Sequence, residues 1–338
     1  MRPLMHPQLL NGRTGDPAVY VETLFEGRTL LLDLGDLSAL PARKILRLDQ
    51  AYVSHTHIDH FFGFDRLLRL FVGREKTVRL CGPRGFIDRV QHKLSAYEWN
   101  LVAGYENDLV FVVTEVASAD VVHNARFRLK AAFVREDLGT EPLIGGTVHE
   151  AGAFRVTTAL LEHRDTVSLG FAIKEAAHVN VWKNRLAELG LPVGPWLRDL
   201  KQGVLDGQPD HAMVAVGDGS ERRPLGELRE AVTVTAGQKI GYVTDVADTR
   251  ANRDAIVALV EGADILFIEA VFAHADARLA QARAHLTTTA AGEIARAAGV
   301  RRVEPFHISP RYAGEEGRML DEVKVAFGGL DEHAVAAE

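Results

Sequence analysis

Short apolar stretches, bounded by Gly, Pro and charged residues, dominate the first half of the chain. Residues 19–23 and 29–33 predict two β-strands about a turn at Glu26-Gly27, and residues 50–54 a third with Tyr52 and Val53 at its heart. Residues 61–71 carry apolar side chains at helical spacing. A strand at 78–81, closed by Gly82-Pro83, and a helix at 85–94 come next. Further strands are predicted at 110–116, 127–134, 154–161 and 168–174. Between 175 and 232 the periodicity weakens while Gly, Pro and charge accumulate, so this stretch reads as an insertion on the surface of a core. Regular alternation returns with strands at 239–244, 265–269 and 302–306, and helices at 250–261 and 289–298 between them. From 315 the chain predicts one helix and a frayed end.

Many strands early and αβαβ alternation late fit an α/β protein of two packed sheets covered by helices, a four-layer arrangement. The organisation expected is a single domain over 1–338 with the surface insertion at about 175–232. His55, His163, Asp245 and His307 share one position type: each stands at or just past the end of an apolar stretch. Loops at strand ends converge on one edge of a sheet, so residues remote in sequence can meet there.

Length and composition set bounds on this picture. The 338 residues are ample for a sizeable core, and 47% hydrophobic with 25% charged residues is ordinary for a globular protein. A net charge of -7 excludes the whole-surface basic character of a nonspecific nucleic-acid binder, though a local basic patch is compatible with it. One cysteine, Cys81, allows no intrachain disulfide. Residues 1–10 lack a charged region followed by a long apolar core, and no apolar run reaches the ~20 residues of a membrane helix. Cytoplasm without membrane attachment is the expectation.

Three of the 14 histidines fall within six residues, in His55-Thr56-His57-Ile58-Asp59-His60. Two histidines one residue apart in an extended segment point to the same side, so His55 and His57 can hold one cation. Asp59 and His60, after the chain turns, can hold a second. The alternative is a polar loop without metal. His163 or His307 taken singly reads more readily as a hydrogen-bonded residue than as a ligand, and Asp245 could be a turn or helix-capping residue. Asp245 gains weight once two cations need a shared oxygen, because a carboxylate can bridge where a neutral imidazole cannot.

These segments resemble the metallo-β-lactamase superfamily and, within it, ribonuclease Z, the family of tRNA 3′-end-processing endonucleases. The likeness runs from about Thr29 to Tyr312. Leu31-Leu32-Asp33-Leu34-Gly35 is similar to the first superfamily motif, and Val53-Ser54 with the histidine cluster to the second. Leu161-Glu162-His163 with Leu169-Gly170-Phe171 resembles the third, and Tyr242-Val243-Thr244-Asp245 the fourth. His285-Leu286-Thr287-Thr288 looks like the family's His-Ser-Thr, and His307-Ile308-Ser309-Pro310-Arg311-Tyr312 like its closing His-x-Ser-x-Arg-Tyr. Gly190 to Pro195 with Leu200-Lys201-Gln202-Gly203 resembles the Gly-Pro segment of the family's tRNA-gripping arm. The family's opening Phe-Leu-Gly-Thr-Gly is replaced by His6-Pro7-Gln8-Leu9, and the extension of the first motif by Gly35-Asp36-Leu37-Ser38. Ile268-Glu269-Ala270-Val271 stands where the family has His-Glu-Ala-Thr.

The resemblance implies a metallo-β-lactamase four-layer αββα sandwich and two Zn2+ ions, with Mn2+ or Fe2+ not excluded by the donor types. One ion would take His55, His57 and His163, the other Asp59, His60 and His307, with Asp245 between them. It implies RNA phosphodiester hydrolysis, the tRNA 3′ trailer first, by a hydroxide shared between the two metals. Asp59 would orient that hydroxide. His285 would be the general acid with Glu269 as its orienting partner, against the plainer reading of His285 as a helix cap. Gly194, Pro195, Lys201, Ser309 and Arg311 are the candidate substrate contacts. Lys183, Arg185, Arg198 and Lys201 make the insertion locally basic, whereas Arg301 and Arg302 read as solvated surface. The partner expected is a tRNA precursor or other phosphodiester, and a homodimer is compatible with the sequence. A zinc hydrolase of a small ester, lactone or cyclic nucleotide is the alternative, and a metal-stabilised binding protein a third reading.

Overall fold

In the computed structural model, which describes residues 5–23, 29–151 and 154–328, the chain divides into two compact units. The first holds the segments before Ala151, Arg155–Ile173 and the chain from Gln238 on; the second is Lys174–Gly237 together with Phe154. The turn expected at Glu26-Gly27 and the frayed end beyond 328 lie outside the described residues. Among the described residues, no helix is long and apolar enough to cross a membrane.

The first unit contains two sheets. The larger has eight strands in sequence order: β1 (Met5–Leu9), β2 (Val19–Thr23), β3 (Thr29–Leu32), β4 (Leu48–Tyr52), β5 (Lys76–Pro83), β6 (Leu109–Val116), β7 (Val121–Arg128) and β8 (Arg135–Pro142). The run β3-β4-β5-β6 is parallel and the flanking pairs antiparallel. The smaller comprises β9 (Thr147–Ala151), β10 (Phe154–His163), β11 (Thr166–Glu175), β12 (Lys239–Val243), β13 (Ile265–Glu269) and β14 (Val303–Phe306), in the order β14-β13-β12-β11-β10-β9. Its β12-β13-β14 run is parallel. The single strand expected at 127–134 is instead the end of β7, a 3-10 turn at Leu129–Ala131, and then β8. Strand β8 is exposed almost throughout and polar, so it carries no apolar alternation to betray it.

Each sheet is covered by helices through an apolar stripe. Helix α1 (Phe64–Phe71) buries Phe64, Leu67, Leu68 and Phe71, the i, i+3, i+4, i+7 pattern of one helix face. These join Phe86, Ile87, Val90 and Leu94 of α2 (Phe86–Ser95) and Val78, Leu80 and Phe111 of the larger sheet in one core. Truncating Phe64 to alanine in that core would cost ~3–5 kcal/mol. On the smaller sheet, Leu161, Val243, Leu266 and Ile268 pack with Ile256 and Val260 of α3 (Arg250–Val260) and with α4 (Thr288–Ala297). Thr287 caps α4 by accepting from the Ala290 N–H. Small residues let α4 approach α5 (Glu316–Phe327): a Cβ at Gly292 would stand 2.5 Å from the Val323 carbonyl oxygen. Between the sheets, Tyr52 meets Phe171 with ring centroids 5.5 Å apart. Helices, sheet, sheet and helices are thus the four layers.

The second unit has its own core, in which Leu186, Leu191, Trp196, Leu200, Val214, Leu225 and Leu228 are buried together. It comprises two short helices, Lys183–Glu188 and Leu225–Arg229, a longer one at Leu197–Leu205, and two antiparallel strand pairs. The pairs are His178–Val181 with Val232–Thr235 and Met213–Val216 with Glu221–Pro224.

Candidate metal centre

Six side chains stand at the carboxyl ends of six strands: Asp33 after β3, His55 after β4, His163 closing β10, Asp245 after β12, Glu269 closing β13 and His307 after β14. Asp33, Asp245 and His307 turn the chain there with positive φ, 59°, 47° and 56°. Asp59 and His60 lie in the single turn Ile58–Phe61. That turn is pinned beneath the first motif, where Leu34 donates to the His60 carbonyl at 2.9 Å and Gly63 to the Leu34 carbonyl at 2.7 Å. A Cβ at Gly63 would lie 2.3 Å from the Gly35 carbonyl oxygen, so only glycine permits the crossing.

Asp245 is the middle of the arrangement. Its Oδ1 lies 3.3 Å from His60 Nε2 and 3.0 Å from His307 Nδ1; its Oδ2 lies 3.5 Å from His55 Nε2 and 3.6 Å from His163 Nε2. Asp59 Oδ2 is 3.4 Å from His307 Nε2 and 3.5 Å from His60 Nε2. Donor atoms of His55, His57, His163 and Asp245 all fall within 4.8 Å of one another, and so do those of Asp59, His60 and His307. The structure therefore brings together all seven metal-ligand candidates of the sequence.

A second layer fixes which nitrogens face inward. Asp33 is fully buried and accepts from the Ser54 N–H at 2.6 Å, the Ser54 hydroxyl at 2.7 Å, the Tyr242 hydroxyl at 2.7 Å and His60 Nδ1 at 2.8 Å. Ser54 Oγ, its proton given to Asp33, accepts from His55 Nδ1 at 3.1 Å. His163 Nδ1 donates to the Ala284 carbonyl at 2.9 Å. Each of these imidazoles spends Nδ1 outside and keeps Nε2 for the cluster, which is how metal-binding histidines are held. His55 Nε2, His60 Nε2 and His307 Nδ1 are buried without a hydrogen-bond partner. Buried polar atoms left so are costly, and divalent cations between these nitrogens and Asp245 would satisfy them. The donor set fits such ions.

Charge divides the cluster. Burial, reinforced by His60, drives His55 down to about 2. Burial also opposes protonation of His60, but Asp245 and Asp33 outweigh it and lift that imidazole to about 10. Asp59 sits at about 2, because a hydrogen bond from His307 and the charge of His60 overcome the upward push of burial.

Beside the cluster His285 Nδ1 donates to Glu269 Oε2 at 2.8 Å, leaving Nε2 for the cavity that the ring lines. Glu269 Oε1 accepts from the backbone of Leu286 at 2.9 Å and of Val246 at 3.2 Å. Burial alone would keep His285 neutral, but Glu269 raises its pKa above the ordinary value. Thr287, not His285, caps the following helix.

The cavity over the donors has a volume of about 600 Å3 and is lined by His57, Asp59, His163, Asp245, His285, His307 and Ser309. Arg311 is not in its wall; the guanidinium lies over the Phe272 ring at 6.0 Å. Gly194, Pro195 and Lys201 belong to the second unit, where Lys201 is exposed on the helix Leu197–Leu205. Arg301 and Arg302 are exposed and pair with Asp264 and Glu304. Sequence reasoning gave no role to Asp33, nor to Thr14, Asp16, Arg164 and Arg283, which also line the cavity. The signal for Asp33 was its place just after an apolar strand, the same as that of His55.

The layers and the strand-end donors define a protein of the metallo-β-lactamase fold. Residues 210–308 match the Beta-lactamase superfamily domain. The chain is 33% identical over 324 residues to Ribonuclease Z of Deinococcus radiodurans, covering 94% of each. Among solved structures it is similar to the metallo-beta-lactamase fold protein YhfI from Bacillus subtilis, with a TM-score of 0.55 at 17% identity over 96% of this chain and 95% of that one. It is also similar to the short form of human tRNase Z, with a TM-score of 0.51 at 18% identity over 91% and 92%. The chain belongs to the ribonuclease Z family and is a hydrolytic nuclease.

Proposed function

We propose that this chain is a metal-dependent phosphodiesterase that cuts RNA endonucleolytically, with the 3′ trailer of tRNA precursors as its first substrate. Asp245 carries the reading: one carboxylate oxygen faces His60 and His307 while the other faces His55 and His163. His55, His57 and His163 would hold one Zn2+, and Asp59, His60 and His307 a second, with Asp245 shared; Mn2+ or Fe2+ suit the same donors. Such ions supply Lewis acidity and lower the pKa of water towards ~7.

The chain's own residues do the rest. Asp59 orients the attacking water. As the bond from water oxygen to phosphorus forms and the bond to the ribose 3′ oxygen breaks, His285 gives its Nε2 proton to that oxygen, and the proton shed by the attacking water passes to solvent, from which the imidazole is reprotonated. Glu269 holds the imidazole in place by accepting from Nδ1. Ser309 supports the phosphate from the cavity wall. Gly194, Pro195, Lys201 and Arg311 contact RNA outside it, with the insertion at about 175–232 acting as a substrate arm of a single catalytic domain. The enzyme works in the cytoplasm, as a monomer or a homodimer.

A cavity of about 600 Å3 is also of a size that a small molecule fills. Hydrolysis of a small ester, lactone or cyclic nucleotide is therefore the second reading. Incubating metal-loaded protein with a 3′-extended tRNA precursor and with bis(p-nitrophenyl) phosphate separates the two. Cleavage of the precursor is expected; turnover of the diester alone would favour the small molecule. Elemental analysis should give two ions per chain, and a value near zero that added zinc does not restore would sink both readings.

A further inference from the structure

A second cavity, of about 570 Å3, adjoins the first. His285 and Arg164 line both. We propose that this second cavity is the subsite for the nucleoside whose 3′ oxygen leaves, an uncharged base and ribose rather than a phosphate. The inference rests on the RNA reading above.

Three observations carry it. A general acid must lie within hydrogen-bond reach of the oxygen it protonates, so the sugar bearing that oxygen lies against His285. The first cavity holds the donor cluster and takes the phosphate. The second cavity, which the same imidazole also lines, is where the attached nucleoside has room. Its volume falls within the ~300–1,000 Å3 of pockets that hold small organic ligands.

Charge selects the ligand class. Arg253, in the wall of the second cavity, donates to Asp248 at 2.5 and 2.9 Å and to Glu293 at 2.8 Å. Its charge is thus answered by two carboxylates, and Glu162 adds a third to the same wall. A phosphate has little to gain there. Thr249, Gln281 and Thr289 offer hydrogen bonds of the kind that base edges and ribose hydroxyls take up. Arg164 stands at the junction, held by donating to the Ala282 carbonyl, and its remaining donors can meet the scissile phosphate. Its φ of 52° is the left-handed conformation of the turn that follows His163.

Ala277 gives the test. It is exposed at the start of the helix Ala277–Arg283 and lines the second cavity but not the first. Ala277→Phe intrudes on this space and leaves the donors of the first cavity in place. Cleavage of a tRNA precursor should fall roughly tenfold or more in kcat/KM, while bis(p-nitrophenyl) phosphate turnover stays within about twofold of the parent. Calorimetry should show adenosine binding to the parent and not to Ala277→Phe, with inorganic phosphate binding unchanged. Thr289→Val, nearly isosteric, should weaken adenosine binding alone. Precursor cleavage unaffected by Ala277→Phe, or adenosine bound equally by both proteins, overturns the subsite and leaves the RNA reading standing. Adenosine binding that the variant loses, in a parent that cleaves no RNA, supports a nucleoside pocket and removes RNA as the substrate.

Discussion

On one flank of Asp245 the facing imidazoles, His55 and His163, stand with His57, and among the described residues no further carboxylate pairs with them; on the other, His60 and His307 have Asp33, Asp59 and Glu269 around them. The same residue type therefore titrates in opposite directions a few ångströms apart, His55 down to about 2 and His60 up to about 10. Desolvation acts on both; the neighbouring carboxylates decide. His55, held neutral, presents a lone pair to a cation. His60 sits among carboxylates that hold its proton until a cation displaces it, so metal and proton compete most strongly there.

Removing the shared oxygens breaks the comparison outright. Asp245→Ala should abolish turnover and reduce metal content on both flanks together, as elemental analysis would show. A variant that keeps two ions and near-normal turnover would make Asp245 a turn residue. His285, paired with Glu269, is assigned to neither ion in the proposed function. His285→Ala should keep both ions and lose ~10²–10⁴-fold in turnover on RNA, with a much smaller loss on a nitrophenyl diester, whose leaving group needs no proton. Equal losses on both substrates would mean charge stabilisation rather than acid catalysis.

Asp33→Asn sharpens the contrast, because Asp33 meets His60 directly and reaches His55 only through Ser54. Metal affinity on the His60 flank should fall ~10–100-fold while the other flank holds, so a titration that is even in the parent should split into two steps. A uniform fall would mean that the flanks are not separable. The smallest effect should come from outside both. Arg198→Ala with Lys201→Ala, both exposed, should leave metal and diester hydrolysis untouched. If each cation meets a phosphate, the salt dependence of RNA binding should drop by a slope of ~1 per contact.

What was legible in the sequence was local. The cluster from His55 to His60 declares itself by spacing, and the strands that deliver His163, Asp245 and His307 by their apolar runs. The pairing of His285 with Glu269, 16 residues apart, followed from the resemblance. Asp33 was not legible as an organiser, since its partners Ser54, His60 and Tyr242 lie 21, 27 and 209 residues away. Strand β8 escaped because an exposed edge needs no apolar face, and the 127–134 window blurred two strands separated by a tight turn. The core of Lys174–Gly237 is assembled from residues scattered over helices of five to nine residues, too short to build a periodic signal.

The left-handed backbone at Asp33, Asp245 and His307 has a consequence for how these positions can change. An L side chain held there costs roughly 1–2 kcal/mol relative to its relaxed conformation, a cost that glycine escapes. Asp245→Gly and Asp245→Ala should be equally inactive, yet the glycine variant should be the more stable by about 1 kcal/mol, read from denaturant midpoints. Under selection for folding alone, Asp245 and His307 would be freer to drift to glycine than Asp33. A relative that had lost the activity would be expected to carry glycine at Asp245 or His307 before it loses the strands that carry them, whereas Asp33, which accepts four buried hydrogen bonds, would be kept longer.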